Sequence, residues 1–183
     1  MTRGADHSTI PGGPSALGLD PRIPAGDAAI AVESPLQDEI RGLVAELNAV
    51  LLTLSPPEHC YHMTAEEMAA ADTTVFVARI DGRAVAMGGL RRHAGGVGEV
   101  KRMYTRPAVQ GCGIGGVILA EIEGLARAEG LAELVLETGD RHPAAWRVYE
   151  RGGFTRCGAV LDYPDSGWSV FYRKALAEIP VAV

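Results

Sequence analysis

Cysteine is scarce in this chain: Cys60, Cys112 and Cys157 are the only three, far apart, with no CxxC pair. Thiols so few and so dispersed build neither a disulfide framework nor a zinc site, and no metal is called for. Long apolar runs are missing too, none approaching the roughly 20 residues of a membrane-spanning helix. Residues 1–27 carry no charged-then-apolar leader, so the expected location is a reducing cytoplasm, away from the membrane. A basic block is also lacking. The 17 Lys and Arg are interspersed among 23 Asp and Glu for a net charge of -6, and clustered cations are what nucleic-acid phosphates require, so no nucleic-acid partner is expected. The acidic excess tolerates a cationic substrate, although an ordinary solvated surface has a similar balance. There are no internal repeats, and 183 residues suffice for one core.

Residues 1–27, including IPGGPSALGLDPRIPAGD, are rich in Gly and Pro and poor in large apolar groups, which predicts a flexible tail ahead of a single domain over 28–183. AAIAVE reads as a first strand. Ser34 and Gln37 have capping-box spacing with Pro35 at the first helical position. Ile40, Leu43, Val44, Leu47, Val50, Leu51 and Leu54 then recur at helical spacing up to Pro56 and Pro57. A second capping box, Thr64 and Glu67, opens a shorter helix. TVFVARI, DG and RAVAMGGLRR read as strand, tight turn and strand, and GEVKRMYT completes an antiparallel meander. Helical periodicity returns from Ile114 to Glu129, stopped by Gly130, before a buried strand AELVLET. A helix over Pro143–Arg151 and strands around FTRCGAVL and WSVFYRKAL close the pattern. The sum is an α/β domain with one mixed sheet.

QGCGIGG, Gln110 to Gly116, packs four glycines into seven residues just ahead of a helix. Gly111, Gly113 and Gly116 match GxGxxG, but TRPAVQ separates the loop from its strand and the preceding strands read as antiparallel, which argues against a dinucleotide fold. What remains is physical: glycines bring main-chain N–H groups to a helix start, where unsatisfied donors and the dipole favour an anion such as a pyrophosphate.

These segments resemble the GNAT superfamily of N-acetyltransferases. The family's acetyl-CoA loop runs Gln or Arg, two residues, Gly, one residue, Gly or Ala, and Gln110, Gly113 and Gly115 fit it. The likeness continues upstream in VKRMYTRPAVQ and downstream in LVLETG and AAWRVYERGGF, spanning about Ala28 to Leu176 with its specific part between Gly98 and Phe154. The resemblance implies one GNAT-like domain, a mixed and mostly antiparallel sheet of about seven strands flanked by about four helices, and acetyl-CoA as co-substrate. It implies that Gln110, Gly111, Cys112, Gly113, Ile114, Gly115 and Gly116 cradle the pyrophosphate. Met103, Tyr104 and Thr105 would line the pantetheine arm where GEVKRMYT and AELVLET splay apart.

Acetyl transfer to an amine needs a neutral amine, a stabilised oxyanion and a hydrogen bond for the departing thiolate. By resemblance, Glu99, fourteen residues before Gly113, takes the base position; an ion pair with Lys101 or Arg102 is the alternative. The resemblance points to the main-chain N–H of Met103 as the oxyanion donor, its side chain packing in the core. Tyr149 stands where the family places the tyrosine that hydrogen-bonds the CoA sulfur, though a tyrosine there also serves as a core aromatic. His142 either caps the following helix or touches the pantetheine. A catalytic thiol at Cys112 is disfavoured, with phosphates expected in its place and no His beside it. The resemblance assigns the acceptor pocket to PPEHCYHMT and LDYPDSGWSVFY, which offer His59, Tyr61, His62, Asp162, Tyr163 and Asp165 to a small amine or a peptide amine. Exposed sheet edges leave room for a homodimer. The competing expectation is a non-catalytic module that binds acetyl-CoA as a sensor or regulator.

Overall fold

The computed structural model describes residues 28–176, and the expected tail over 1–27 lies outside them. One seven-stranded sheet runs in the order β1-β2-β3-β4-β5-β7-β6. Its strands are β1 (Ala29–Val32), β2 (Thr73–Ile80), β3 (Arg83–His93), β4 (Val97–Thr105), β5 (Glu133–Gly139), β6 (Thr155–Cys157) and β7 (Ser169–Ala175). Four helices flank it: α1 (Asp38–Leu54), α2 (Ala65–Met68), α3 (Ile114–Ala128) and α4 (Pro143–Arg151). Every strand pair is antiparallel except β4 with β5. Among the described residues no helix is long and apolar enough to cross a membrane.

Local chemistry explains most boundaries. Asp81 and Gly82, both at positive φ, make the two-residue turn that joins β2 to β3 with the right twist. Thr64 and Glu67 exchange reciprocal capping hydrogen bonds at the start of α2, as their spacing requires. The Ser34 capping box does not form. The Gln37 amide donates to the Glu33 carboxylate at 2.9 Å, and Glu33 in turn receives Arg79 from β2. Drawn into that cluster, Gln37 becomes the N-cap without a side-chain cap, and α1 begins at Asp38. The penultimate strand is shorter than FTRCGAVL suggests, spanning Thr155–Cys157.

The two sheet faces bury different partners. Ile118, Leu119 and Ile122 of α3 pack with Leu90, Val100, Leu134 and Leu136 on one face. Ile40, Leu43, Val44 and Leu47 of α1 pack with Val75, Val77 and Met87 on the other. Burying each such side chain contributes about 1.5–3 kcal/mol. Val50, placed in the apolar stripe of α1 by its spacing, is exposed instead. Past Leu47 the stripe leaves the core, and Leu47 and Leu51 form the wall of a cleft.

Candidate functional site

That cleft follows from an interrupted ladder. β4 and β5 pair at Val97 with Glu133, Gly98 with Leu134 and Glu99 with Val135, and then part. On the other side of β4 the register slips: Met87 faces Tyr104 and Gly89 faces Lys101, so Arg102 and Met103 together oppose Gly88. This is a β-bulge, and it bends the bulged strand away from a straight course. Arg102 takes the left-handed conformation at φ 55°, unusual for a non-glycine residue in a strand. Gly88 must be glycine for packing: a Cβ there would lie 2.3 Å from the Met103 sulfur and 2.7 Å from Ile118. The Met103 side chain thus fills the hollow over Gly88, and Met103 also lines the cleft.

The cleft, a cavity of about 110 Å³, runs between Val100–Met103 on β4 and Glu137–Gly139 on β5. Tyr149, His142 and Ala145 of the α4 region close one side; His59, Cys60 and Tyr61 close the other. A second cavity of about 340 Å³ adjoins it and shares Tyr61 and Lys101 as a wall; His62, Arg91, Glu67, Asp72 and Tyr163 also line it. The acceptor candidates His59, Tyr61, His62 and Tyr163 therefore gather here. Asp162 and Asp165 are exposed and line neither cavity.

The glycine loop lies at the mouth of α3. Gly113, at φ 87°, is the N-cap, a backbone angle that side chains resist, and no side chain caps the helix. The Gly116 amide already donates to the Gly113 carbonyl at 3.0 Å. The amides that a helix start leaves without an intrahelical acceptor, and that favour an anion, are those ahead of it. Gln110 turns its amide back to the carbonyl of Thr105 at 2.9 Å, tying the loop to the end of β4. Tyr104 points the other way: it is buried against α1, and its hydroxyl donates to Glu46 at 3.2 Å. His142 holds the N-cap position of α4 yet makes no side-chain cap. Its ring packs on Gly139, its Nε2 is buried without a partner, and burial lowers its pKa. Of the two roles weighed for it, helix capping is not adopted.

Glu99 is sealed, 1% exposed. One carboxylate oxygen accepts from the Tyr163 hydroxyl at 2.6 Å and lies 3.4 Å from the Lys101 ammonium; the other is 2.9 Å from His93 Nε2. Lys101 also donates to the Tyr163 oxygen. The ion pair weighed for Glu99 thus exists with Lys101, and Glu99 lines neither cavity. Arg102 turns from Glu99 toward α1, donating to Asn48 Oδ1 and the Val44 carbonyl. Burial pulls its pKa down to about 10, still leaving it charged at neutral pH.

Tyr149 is buried among Phe154 and Tyr172 and faces the cleft. Burial, with the nearby Glu137 charge, pushes its phenol well above the usual tyrosine range, so it stays protonated. Glu137 carries no motif in the sequence, standing as one polar residue in the strand ELVLETG. It lines the cleft, accepts from Ser169 Oγ at 2.7 Å, and is raised above the ordinary carboxylate value by burial. Among the described residues no cluster of His, Cys, Asp or Glu is arranged to hold a metal.

Comparison with known proteins bears on the family and the fold. Residues 44–154 match the model of the acetyltransferase (GNAT) family. An IAA acetyltransferase of Azospirillum brasilense is 38% identical over 151 residues, covering 82% of this chain and 99% of its own. A candidate acyl-CoA N-acyltransferase from Klebsiella pneumoniae superposes with a TM-score of 0.70 at 30% identity, over 82% of this chain and 98% of that one. The PaiA N-acetyltransferase of Thermoplasma acidophilum, solved in complex with coenzyme A, superposes with a TM-score of 0.62 at 17% identity, over 81% of this chain and 99% of that one.

Proposed function

The chain belongs to the GNAT family of acetyltransferases and is an acyltransferase; on that premise we propose that it passes the acetyl group of acetyl-CoA directly to a primary amine of a small molecule or peptide. The observation that carries this reading is the parted β4–β5 seam, which places Met103, Tyr149 and Glu137 around one cleft. Pantetheine is an extended amide chain, and a gap between strands offers it backbone groups that the ladder has released. The first amides of α3 ahead of Gly116 and the glycine-lined turn suit the pyrophosphate at the other end.

Within the cleft, the main-chain N–H of Met103 stands at the bulge as the donor for the oxyanion, fixed before reaction and needing no reorganisation. The Tyr149 phenol, held protonated by its burial, hydrogen-bonds the sulfur and supplies a proton as the thiolate departs. Glu99 reaches the cavities only through the Tyr163 hydroxyl and Lys101. The acceptor enters from the larger cavity past Tyr61 and Lys101. Release of free CoA thiol, followed across polyamines, amino acids, aminoglycosides, arylamines and short peptides against an amine-free control, tests the reading. Amine-dependent release is the expected result. Tight acetyl-CoA binding without release from any amine would favour a regulatory module in its place.

A further inference from the structure

Two carboxylates stand on the same side of the β4–β5 seam. Glu99 is paired with Val135 in the last rung, and Glu137 lies two residues beyond that rung, where the strands have parted. The register therefore gives them opposite surroundings. Glu99 has both oxygens engaged, by Tyr163 on one and His93 on the other, and no access to either cavity. Glu137 is the one carboxylate among the residues lining the cleft, and its Oε1 is held by Ser169. Glu137 shares the cleft lining with Tyr149, Cys60 and Lys101, and the cleft meets the acceptor cavity at Tyr61 and Lys101. Besides Tyr149, which feels its charge, the charged groups that act on it are Lys101 and Glu99.

We infer that Glu137 rather than Glu99 takes the proton from the acceptor's ammonium, in the acetyl transfer proposed above, on which this inference rests. The ammonium gives one proton to Glu137, and the electron pair so freed forms the C–N bond at the thioester carbon. The carbonyl electrons move to oxygen, under the Met103 N–H. When they return, the C–S bond breaks with its pair on sulfur. Nitrogen gives up its second proton to the phenolate that Tyr149 becomes on protonating the thiolate. Glu137 then releases its proton to water through the cleft mouth. Ser169 is a positioning residue: its hydroxyl fixes one oxygen and leaves Oε2 for the ammonium. Burial that raises the Glu137 pKa narrows its gap to an amine of about 10.4, which suits a base working near neutral pH.

The test is kcat/KM against pH for the full chain, for Glu137→Gln and for Glu99→Gln, using whichever amine gives the fastest CoA release. Glu137→Gln is expected to lose about 10²–10⁴-fold and to lose the acidic limb of the profile, with acetyl-CoA affinity by calorimetry within about threefold of the parent. Glu99→Gln keeps the limb. An acidic limb that persists in Glu137→Gln, or one that vanishes in Glu99→Gln, overturns the assignment. Should Glu137→Gln not fold, carbon-13 NMR of the glutamate carboxyls in the acetyl-CoA complex decides. The resonance displaced by Ser169→Ala must titrate above the ordinary carboxylate range, and a midpoint within that range overturns the inference. Failure of the parent to bind acetyl-CoA at all would be distinct, overturning acetyl transfer and this inference together.

Discussion

The lower and upper halves of the β4–β5 seam are built from similar residues and do different things. In the lower half, three rungs close the ladder, and Gly98 lets Leu90, Leu131 and Leu134 pack over it. A glutamate placed there becomes part of the core, its charge met by neighbours on three elements. In the upper half the rungs stop, and the next glutamate on that side faces a cleft with a single hydroxyl to hold it. Residue type is the same in both cases. What separates structure from chemistry here is whether the next rung exists.

The largest effect that would break this contrast is on turnover, where Glu137→Gln is expected to cost about 10²–10⁴-fold and Glu99→Gln far less. Stability should rank the two in reverse. Removing the Glu99 charge takes from half-buried Lys101 the carboxylate 3.4 Å away and from Tyr163 its acceptor, an expected loss of about 1–3 kcal/mol by denaturant unfolding. Glu137 has its folded-state pKa raised, so its ionised form is disfavoured by the fold. Glu137→Gln should therefore match the parent in stability below the ordinary carboxylate pKa and exceed it as pH rises through the raised one.

Tyr149→Phe comes next, with turnover down about 10–100-fold and acetyl-CoA affinity nearly unchanged; unchanged turnover would remove the phenol from the chemistry. A pair of glycine replacements sharpens the comparison further. Gly98→Ala puts a Cβ 2.7 Å from Leu134 in the closed half and should cost about 1–3 kcal/mol of stability while sparing kcat of whatever folds. Gly139→Ala meets the His142 ring at 3.0 Å in the open half. It should cost under about 1.5 kcal/mol and act mainly on KM for acetyl-CoA, read by steady-state kinetics.

The elements were legible because periodicity and caps are local. Thr64 and Glu67 form their box, Asp81-Gly82 makes its turn, and Pro143–Arg151 is a helix with the bounds its prolines and glycines imply. Local signals failed where a distant partner intervened, as when Arg79 and Glu33 drew Gln37 out of its cap. The place of the glycine loop ahead of α3 and of Met103 and Tyr149 beside the cleft could be read from motif order. Glu137 could not: in ELVLETG it is one more polar residue in a buried strand. Only the register, which sets Glu99 against Val135 and ends there, shows that it lies past the last rung. Pairing between strands with a helix between them leaves no mark in either strand alone.

Met103 and Arg102 standing against Gly88 have one more consequence. On the side of β4 away from the opening, that strand carries a surplus of one amino acid over β3. Removing Arg102 would restore equal counting, Met103 against Gly88 between the existing pairs of Lys101 with Gly89 and Tyr104 with Met87. A single-codon deletion is thus expected to regularise the β3–β4 ladder, at the loss of Arg102's hydrogen bonds to α1, while leaving every proposed catalytic side chain and the whole glycine loop encoded. In genetic terms the proposed oxyanion donor is positioned by a count rather than by an identity: a chain that keeps Met103 but lacks the surplus presents its N–H to the Gly88 ladder instead.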